Sequence, residues 1–338
     1  MKVLITGGAG FIGSNLVHYV CGHRPSWEVT VVDLLTYAGN LQNISTLIDK
    51  KKIRFEKLDI AVGHEIQKLF SKEKFSLVFH LAAESHVDRS IHSAQAFVRT
   101  NILGTQTLVD AARANGTGRF VHISTDEVYG SLGPTGSFVE TTPLDPTSPY
   151  AASKAASDLL VRAAWKTHGL DAVVTRCTNN YGPYQFPEKV IPLFITNALD
   201  DKKLPLYGDG MNVRSWIHVD DHCAALLLAG EKGRAGEVYN IGGNAESEIP
   251  NRELTRTVLS LLGKPESLIE QVRDRPAHDR RYSVDSGKIS RGLGWSPKIP
   301  FAKGLSQTIE WYRSHEEWWR KIKTGEYVHY YERNYGAR

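Results

Sequence analysis

Short apolar runs alternate with longer amphipathic stretches through the first half of the chain. Val3-Leu4-Ile5-Thr6, Val29-Thr30-Val31-Val32, Ile53 to Leu58, Leu77-Val78-Phe79-His80-Leu81, Phe120-Val121-His122-Ile123 and Ala172-Val173-Val174-Thr175 are six candidate strands. Helical patterns fill the gaps, around 94–114 and 150–167 among others. Apolar strands separated by helices predict an α/β fold whose parallel sheet is covered on both faces. After about residue 179 the rhythm changes: Pro and Gly become frequent and strands shorten. This predicts a first domain over 1–178 and a smaller C-terminal α/β region over 179–338. A return segment near 214–245 carries Glu237 to Gly243, which can rejoin the first sheet as a strand. The cleft between the regions should lie at the carboxyl ends of the strands.

Composition narrows this picture only modestly. The 338 residues are 41% hydrophobic and 23% charged, as in an ordinary globular protein. Net charge is +4 with both signs interspersed, which argues against a nucleic-acid surface and stays compatible with a small anionic substrate. Three widely spaced cysteines, Cys21, Cys177 and Cys223, suggest neither a disulfide framework nor a metal site. A reducing cytoplasm is the expected compartment. The chain starts directly on a candidate strand, so no signal peptide is expected, and no apolar run approaches a membrane span.

The candidate chemistry begins at Gly7-Gly8-Ala9-Gly10-Phe11-Ile12-Gly13, between the first strand and the first helix. Glycines here let the backbone turn tightly and approach a pyrophosphate seated on the helix N-terminus. Asp33 follows Gly13 by 20 residues and ends the second strand, where a carboxylate accepts hydrogen bonds from an adenosine ribose. It would repel a 2′-phosphate, and Leu34 and Leu35 offer no cation, so NAD is favoured over NADP. Together these features predict a Rossmann-type doubly wound sheet. Tyr150 and Lys154 stand four apart and share a helix face. The ammonium is expected to lower the tyrosine pKa, making it a base for a hydroxyl whose carbon gives hydride to NAD. Glycine spacing and Tyr-x-x-x-Lys together resemble the extended short-chain dehydrogenase/reductase superfamily over nearly the whole chain. Thr125, at the end of the fifth strand, is placed to hold the reacting oxygen.

Asp126 and Glu127 are the distinctive pair. A sugar epimerase or simple alcohol dehydrogenase needs only the hydroxyl, the tyrosine and the lysine. Two carboxyls add a second proton-transfer step: once C4 of a hexose is a ketone, its C5–H is acidic, and a base and an acid can expel the C6 hydroxyl as water. The acid needs a raised pKa. Thr125-Asp126-Glu127 resembles the signature of the dTDP-glucose 4,6-dehydratases. Further segments are similar to that family: Thr36 to Asn40, Ala82 to Ser90, Asn179 to Gln185, Pro187-Glu188-Lys189 and Asp274 to Asp279. Leu34, Ala277 and Ser215 depart from its usual lysine, glycine and aspartate.

The resemblance implies Tyr150 as base at the C4 hydroxyl, Glu127 as base at C5 and Asp126 as acid at C6. It implies NAD held by Gly7, Gly10, Phe11, Ile12, Gly13, Asp33, Leu34, Thr36, Asp59, Ile60, Leu81, Ala82, Ala83, Ser85, Thr100, Tyr150, Lys154 and Asn180. For the nucleotide sugar it implies Ser85, Thr125, Asn179, Lys189, Val190, Pro205, Tyr207, Arg214, Asn251, Arg275 and His278. No metal is expected. A homodimer joined through the helices around 94–114 and 150–167 is also implied. Trp216, Trp311, Trp318 and Trp319 read as packing. The rival readings are the same chemistry on another nucleotide sugar such as UDP-glucose, a 4-epimerase or decarboxylase, and a non-enzymatic NAD-binding regulator. Asp126-Glu127 disfavours the epimerase and decarboxylase, and Tyr150 with Lys154 disfavours the regulator.

Overall fold

A computed structural model describes residues 1–276, 278–324, 327–329 and 331; Ala277 lies outside them. Among the described residues twelve strands form, β1 Lys2–Thr6, β2 Glu28–Asp33, β3 Ile53–Lys57, β4 Leu77–His80, β5 Arg119–Thr125, β6 Ala172–Cys177, β7 Asn179–Tyr181, β8 Leu204–Tyr207, β9 Val213–His218, β10 Val238–Ile241, β11 Glu248–Pro250 and β12 Ile269–Val272. The main sheet has seven strands in the order β10-β6-β5-β4-β1-β2-β3, all paired in parallel. This is the Rossmann-type order, with its reversal between β1 and β4. Crevices for ligands open at such a reversal, beyond the carboxyl ends of the strands.

The predicted strands are apolar at successive positions because both sheet faces are covered. Val3, Ile5, Val29 and Val31 face one core, with the helices Phe11–His23 and Val219–Lys232. Leu4, Val32, Val78 and Phe120 face the other, with the helices Gly63–Glu73, Thr105–Ala114 and Pro149–His168. The return strand β10 pairs with β6, Val238 opposite Val174 and Ile241 opposite Cys177.

A three-stranded sheet, β11-β9-β7, and a β12-β8 pair stand beyond the carboxyl ends of the main sheet. Their core gathers Phe194, Trp216, Leu254 and Leu305, from β9 and the helices Val190–Leu199, Asn251–Leu262 and Phe301–Ser314.

One helix departs from its prediction. The stretch around 94–114 is a short helix, Gln95–Phe97, then a π-helical segment, Val98–Gly104, before Thr105–Ala114. The widened turn carries Asn101. Its amide donates to Glu84 O at 3.0 Å and Ser153 Oγ at 2.8 Å, and its Oδ1 accepts from Glu84 N at 2.9 Å. These tertiary bonds reward a geometry that a regular helix would not present. The longer helix Pro149–His168 starts with Ser148, whose hydroxyl accepts from Ala151 N, and Pro149 in the first turn. It ends at Gly169 in the left-handed region. These signals fix where Tyr150 enters the cleft.

Candidate active site

Two adjoining cavities open at the carboxyl ends of the main strands. The larger, about 310 Å³, runs from the glycine-rich loop to Tyr150 and Lys154. The smaller, about 140 Å³, lies between the ends of β8 and β9 and the segment 275–282. Glu127, Asn179, Lys189, Val190 and Trp216 line both, so a long ligand could span them.

The loop Gly7–Gly13 is shaped by close backbone approach. Gly7 has φ +71°, and a Cβ there would sit 2.6 Å from Ala82 N. A Cβ on Gly13 would sit 2.0 Å from Gly7 O. Helix Phe11–His23 begins at Gly10 with no capping side chain and no acidic residue in its first turn. Its free N–H groups and positive dipole end therefore suit an anion. The Asp33 carboxyl accepts from Ala9 N at 3.0 Å and Leu35 N at 2.8 Å and keeps further lone pairs for a ribose. Burial raises its pKa against these bonds. Asp59, Ile60, Thr36, Leu34 and Thr100 line the same end of the cavity. Leu81, Ala82, Ala83, Ser85 and Asn180 line its middle, with Phe11, Ile12 and Gly10 along the loop. This donor-rich, glycine-tight cradle, with the Asp33 carboxyl held by main-chain N–H groups at its end, fits a dinucleotide such as NAD.

At the far end the chemistry gathers around the tip of β5. Thr125 ends the strand, and the chain turns through a 3₁₀ helix, Asp126–Tyr129, whose Glu127 N donates to Thr125 Oγ1 at 3.2 Å. Asp126 is 2% exposed. Its Oδ1 accepts from Thr125 Oγ1 at 3.2 Å, while Oδ2 is buried without a protein partner. Burial, then the neighbouring Glu127 charge, lifts its pKa to about 8, so at neutral pH it carries a proton. Burial also raises Glu127, but Lys189, Arg275 and Arg214 pull it back. The environments separate two adjacent carboxyls into an acid and a base.

Tyr150 and Lys154 both line the cavity. Lys154 Nζ donates to Ile123 O at 2.7 Å. Burial lowers its pKa to about 8, against the pull of Asp158. The expected lowering of the tyrosine pKa is not found. Burial and the Glu127, Cys177 and Asp126 charges hold it well above its ordinary value, and only the Thr125 hydrogen bond lowers it. The Lys154 ammonium is engaged by a main-chain carbonyl, and the carboxyls oppose a phenolate.

The smaller cavity collects cations and donors. Lys189 Nζ donates to Ser85 O at 2.9 Å. Arg214 donates to Asp279 O at 2.9 Å and stacks 4.4 Å from the Tyr282 ring centroid. Arg275 Nη1 meets Asp88 Oδ1 at 3.0 Å, and its Nε is buried without a partner. Asn179 Oδ1 and Asn251 Oδ1 are likewise unpartnered. Tyr207 donates to Asp88 Oδ2 at 3.1 Å and meets His278 edge-on at 5.9 Å, with Pro205 beside them. His278 is held by Asp274 Oδ1 at 2.6 Å.

Sequence reasoning passed over several lining groups. Glu84 lines the larger cavity, its main chain clamped by Asn101 and its pKa raised by burial. Glu188 and Tyr282 also line cavities. Glu84 and Glu188 sit inside segments that the sequence singled out, and that placement was the only available signal. Trp216, read as packing, is 3% exposed and does pack in the core of the C-terminal region, yet also lines both cavities. Among the described residues no group of three or more His, Cys, Asp or Glu could hold a metal, and no helix is long and apolar enough to cross a membrane.

Residues 4–308 match the family model described as GDP-mannose 4,6 dehydratase. A dTDP-glucose 4,6-dehydratase from Streptomyces niveus is 51% identical over 328 residues, 96% of either chain. A solved dTDP-glucose 4,6-dehydratase from Streptomyces venezuelae, with NAD bound, is 52% identical with a TM-score of 0.92, covering 96% of this chain and 100% of that one. A UDP-glucose 4-epimerase from Thermotoga maritima superposes with a TM-score of 0.86 at 31% identity, over 93% of this chain and 99% of its own. The shared fold therefore carries more than one reaction.

Proposed function

Since this chain belongs to the dTDP-glucose 4,6-dehydratases, we propose that it carries out their reaction as a hydro-lyase, turning dTDP-glucose into dTDP-4-keto-6-deoxyglucose with NAD. The observation that carries this reading is the buried Asp126 carboxyl, its pKa pushed up by burial and by the Glu127 charge, beside Glu127 at the tip of β5. NAD, when bound, supplies the hydride acceptor for C4 and the hydride donor for C6.

The chain's own residues do the rest. Thr125 holds the C4 oxygen, and Tyr150 takes its proton, the Thr125 hydrogen bond, the Lys154 cation and the positive ring that a bound oxidised cofactor would bring offsetting the burial and carboxyl charge that oppose its phenolate. Glu127 takes the proton from C5. Asp126 gives its proton to the C6 oxygen, which leaves as water while a C5–C6 double bond forms. Glu127 then returns a proton to C5. Gly7, Gly10, Gly13 and Asp33 grip the dinucleotide at its pyrophosphate and ribose. Lys189, Arg214 and Arg275 offset the charge of the substrate diphosphate, and Pro205, Tyr207 and His278 flank its nucleoside. The domain division, residues 1–178 with the return segment near 214–245 against the remainder of 179–338, follows this split between dinucleotide and nucleotide sugar.

The active form is a homodimer. Val98, Leu103 and Leu159 are 52%, 51% and 54% exposed on the helical stretches 95–114 and 149–168, the two stretches that the family resemblance assigns to the dimer face, and burying them would favour association. With cysteines free, the cytoplasm is the fitting compartment.

The test is turnover of dTDP-glucose in deuterated water followed by NMR. The expected product has a 4-ketone, a new C6 methyl and deuterium at C5. Inversion at C4 alone would make the chain an epimerase, and turnover of UDP-glucose alone would move the substrate assignment.

A further inference from the structure

Behind the two arms of the site lies a buried polar chain that touches neither cavity. Arg176, on β6, is 1% exposed. Its Nε donates to Asp158 Oδ2 at 2.8 Å, and its Nη1 donates to Tyr129 OH at 2.8 Å. Tyr129 passes the chain on, donating to Asn240 Oδ1 on β10 at 2.8 Å. Asp158 is fully buried, and its other oxygen lies 3.4 Å from His122 Nε2 on β5.

The endpoints matter. Asp158 lies one helical turn beyond Lys154 and two beyond Tyr150, so all three share one helix face. Tyr129 closes the same turn that presents Asp126 and Glu127. From these contacts we infer that Arg176 is a positioning residue, whose two grips hold the Tyr150–Lys154 helix and the Asp126–Glu127 turn in register across the cleft.

The energetics fit a positioning role better than a stabilising one. Burying a guanidinium and a carboxylate costs desolvation that their attraction barely offsets, and an apolar pair of similar volume would serve the fold as well. An ion pair with a planar fork instead fixes direction and distance. Proton transfers at C4, C5 and C6 need such fixed geometry, because small displacements of a reacting group cost large factors in rate.

The inference rests on the dehydratase reading, and wild-type turnover in the same assay separates the two. If wild type does not dehydrate dTDP-glucose, the reading fails; if it does, the variants judge the inference. Tyr129→Phe keeps the ring stacked on Phe138 at 4.9 Å and beneath the Arg176 guanidinium at 4.8 Å, and removes only the hydroxyl that joins Arg176 and Asn240 to the turn. Its C5 deuterium incorporation should fall about tenfold, while single-turnover cofactor reduction stays within roughly twofold of wild type. The double variant Arg176→Met with Asp158→Leu removes both charges together. It should keep a near-native Tm and lose roughly 100-fold in both steps. Near-wild-type turnover in the double variant would overturn the inference. So would equal slowing of both steps, or of neither, in Tyr129→Phe, and that milder variant decides the matter if the double variant does not fold.

Discussion

Asp126→Asn tests the acid at its most exposed assumption, that a carboxyl stays protonated at neutral pH. The pKa of about 8 leaves it protonated in about nine molecules in ten at pH 7 and roughly one in ten at pH 9. An ordinary aspartate, near 3.8, would be protonated in about one molecule in 1,500 at pH 7. The elimination rate of wild type should therefore fall as pH rises through about 8. It should also fall at low pH, as Glu127, itself raised by burial, takes up a proton before it can act. Asparagine keeps the shape and cannot donate a carboxylic proton. The variant should lose about 100- to 10,000-fold in elimination, retain cofactor reduction by substrate, and show no alkaline limb near pH 8 in what remains. Stopped-flow absorbance of the reduced cofactor and NMR of the sugar, each across pH 5 to 10, read the two steps separately. An Asp126→Asn enzyme that eliminates at the wild-type rate, or that keeps the alkaline limb, would refute Asp126 as the donor.

The same carboxyl makes a stability prediction. Its folded pKa is raised, so its contribution is present below the unfolded pKa and lost as pH rises toward the folded one. Asp126→Asn should gain in Tm relative to wild type between pH 5 and 8, and a pH-independent difference would contradict the burial argument. Tyr150→Phe should abolish cofactor reduction, whereas Glu127→Gln should permit it and stall C5 exchange; equal loss of both steps in Glu127→Gln would remove its assigned role. Gly13→Ala drives a Cβ into Gly7 O and should cost about 1–3 kcal/mol by overpacking, with cofactor lost on desalting; full retention of cofactor would mean that the loop is not the cradle. If wild type sediments as the proposed homodimer, Leu103→Glu should shift it to monomer in analytical ultracentrifugation; a monomeric wild type would refute the dimer, and a variant that stays dimeric would refute this face.

The parallel sheet was legible because its strands are buried on both faces, which is why Val29, Val31 and Val32 crowd one short strand and even Thr30 between them is buried. The return of β10 was legible for the same reason. What escaped the sequence depends on contacts distant along the chain. The π-helical segment at Asn101 follows from bonds to Glu84 and Ser153, which local propensity does not encode. The Tyr150 pKa was misjudged because four-residue spacing reports a shared face, not where Lys154 Nζ points, and it points to Ile123 O. Asp126 and Glu127 stood out as a pair, but the division of acid from base came from depth: one lies sealed under the strand tip, the other faces Lys189, Arg275 and Arg214.

The position of β10 at the edge of the main sheet has a consequence for how the protein is made. The strand that flanks β6, and the Asn240 that anchors the chain through Tyr129, emerge from the ribosome only after β7, β8, β9 and helix Val219–Lys232. A nascent chain ending near residue 178 has β6 as a bare edge, with Val173 lacking the cover of helix Val219–Lys232 and the Asp126–Tyr129 turn untied from Asn240. The front half is thus a template awaiting its own sequel. Cutting the gene at the apparent domain border would yield a sticky half-sheet rather than a portable dinucleotide module.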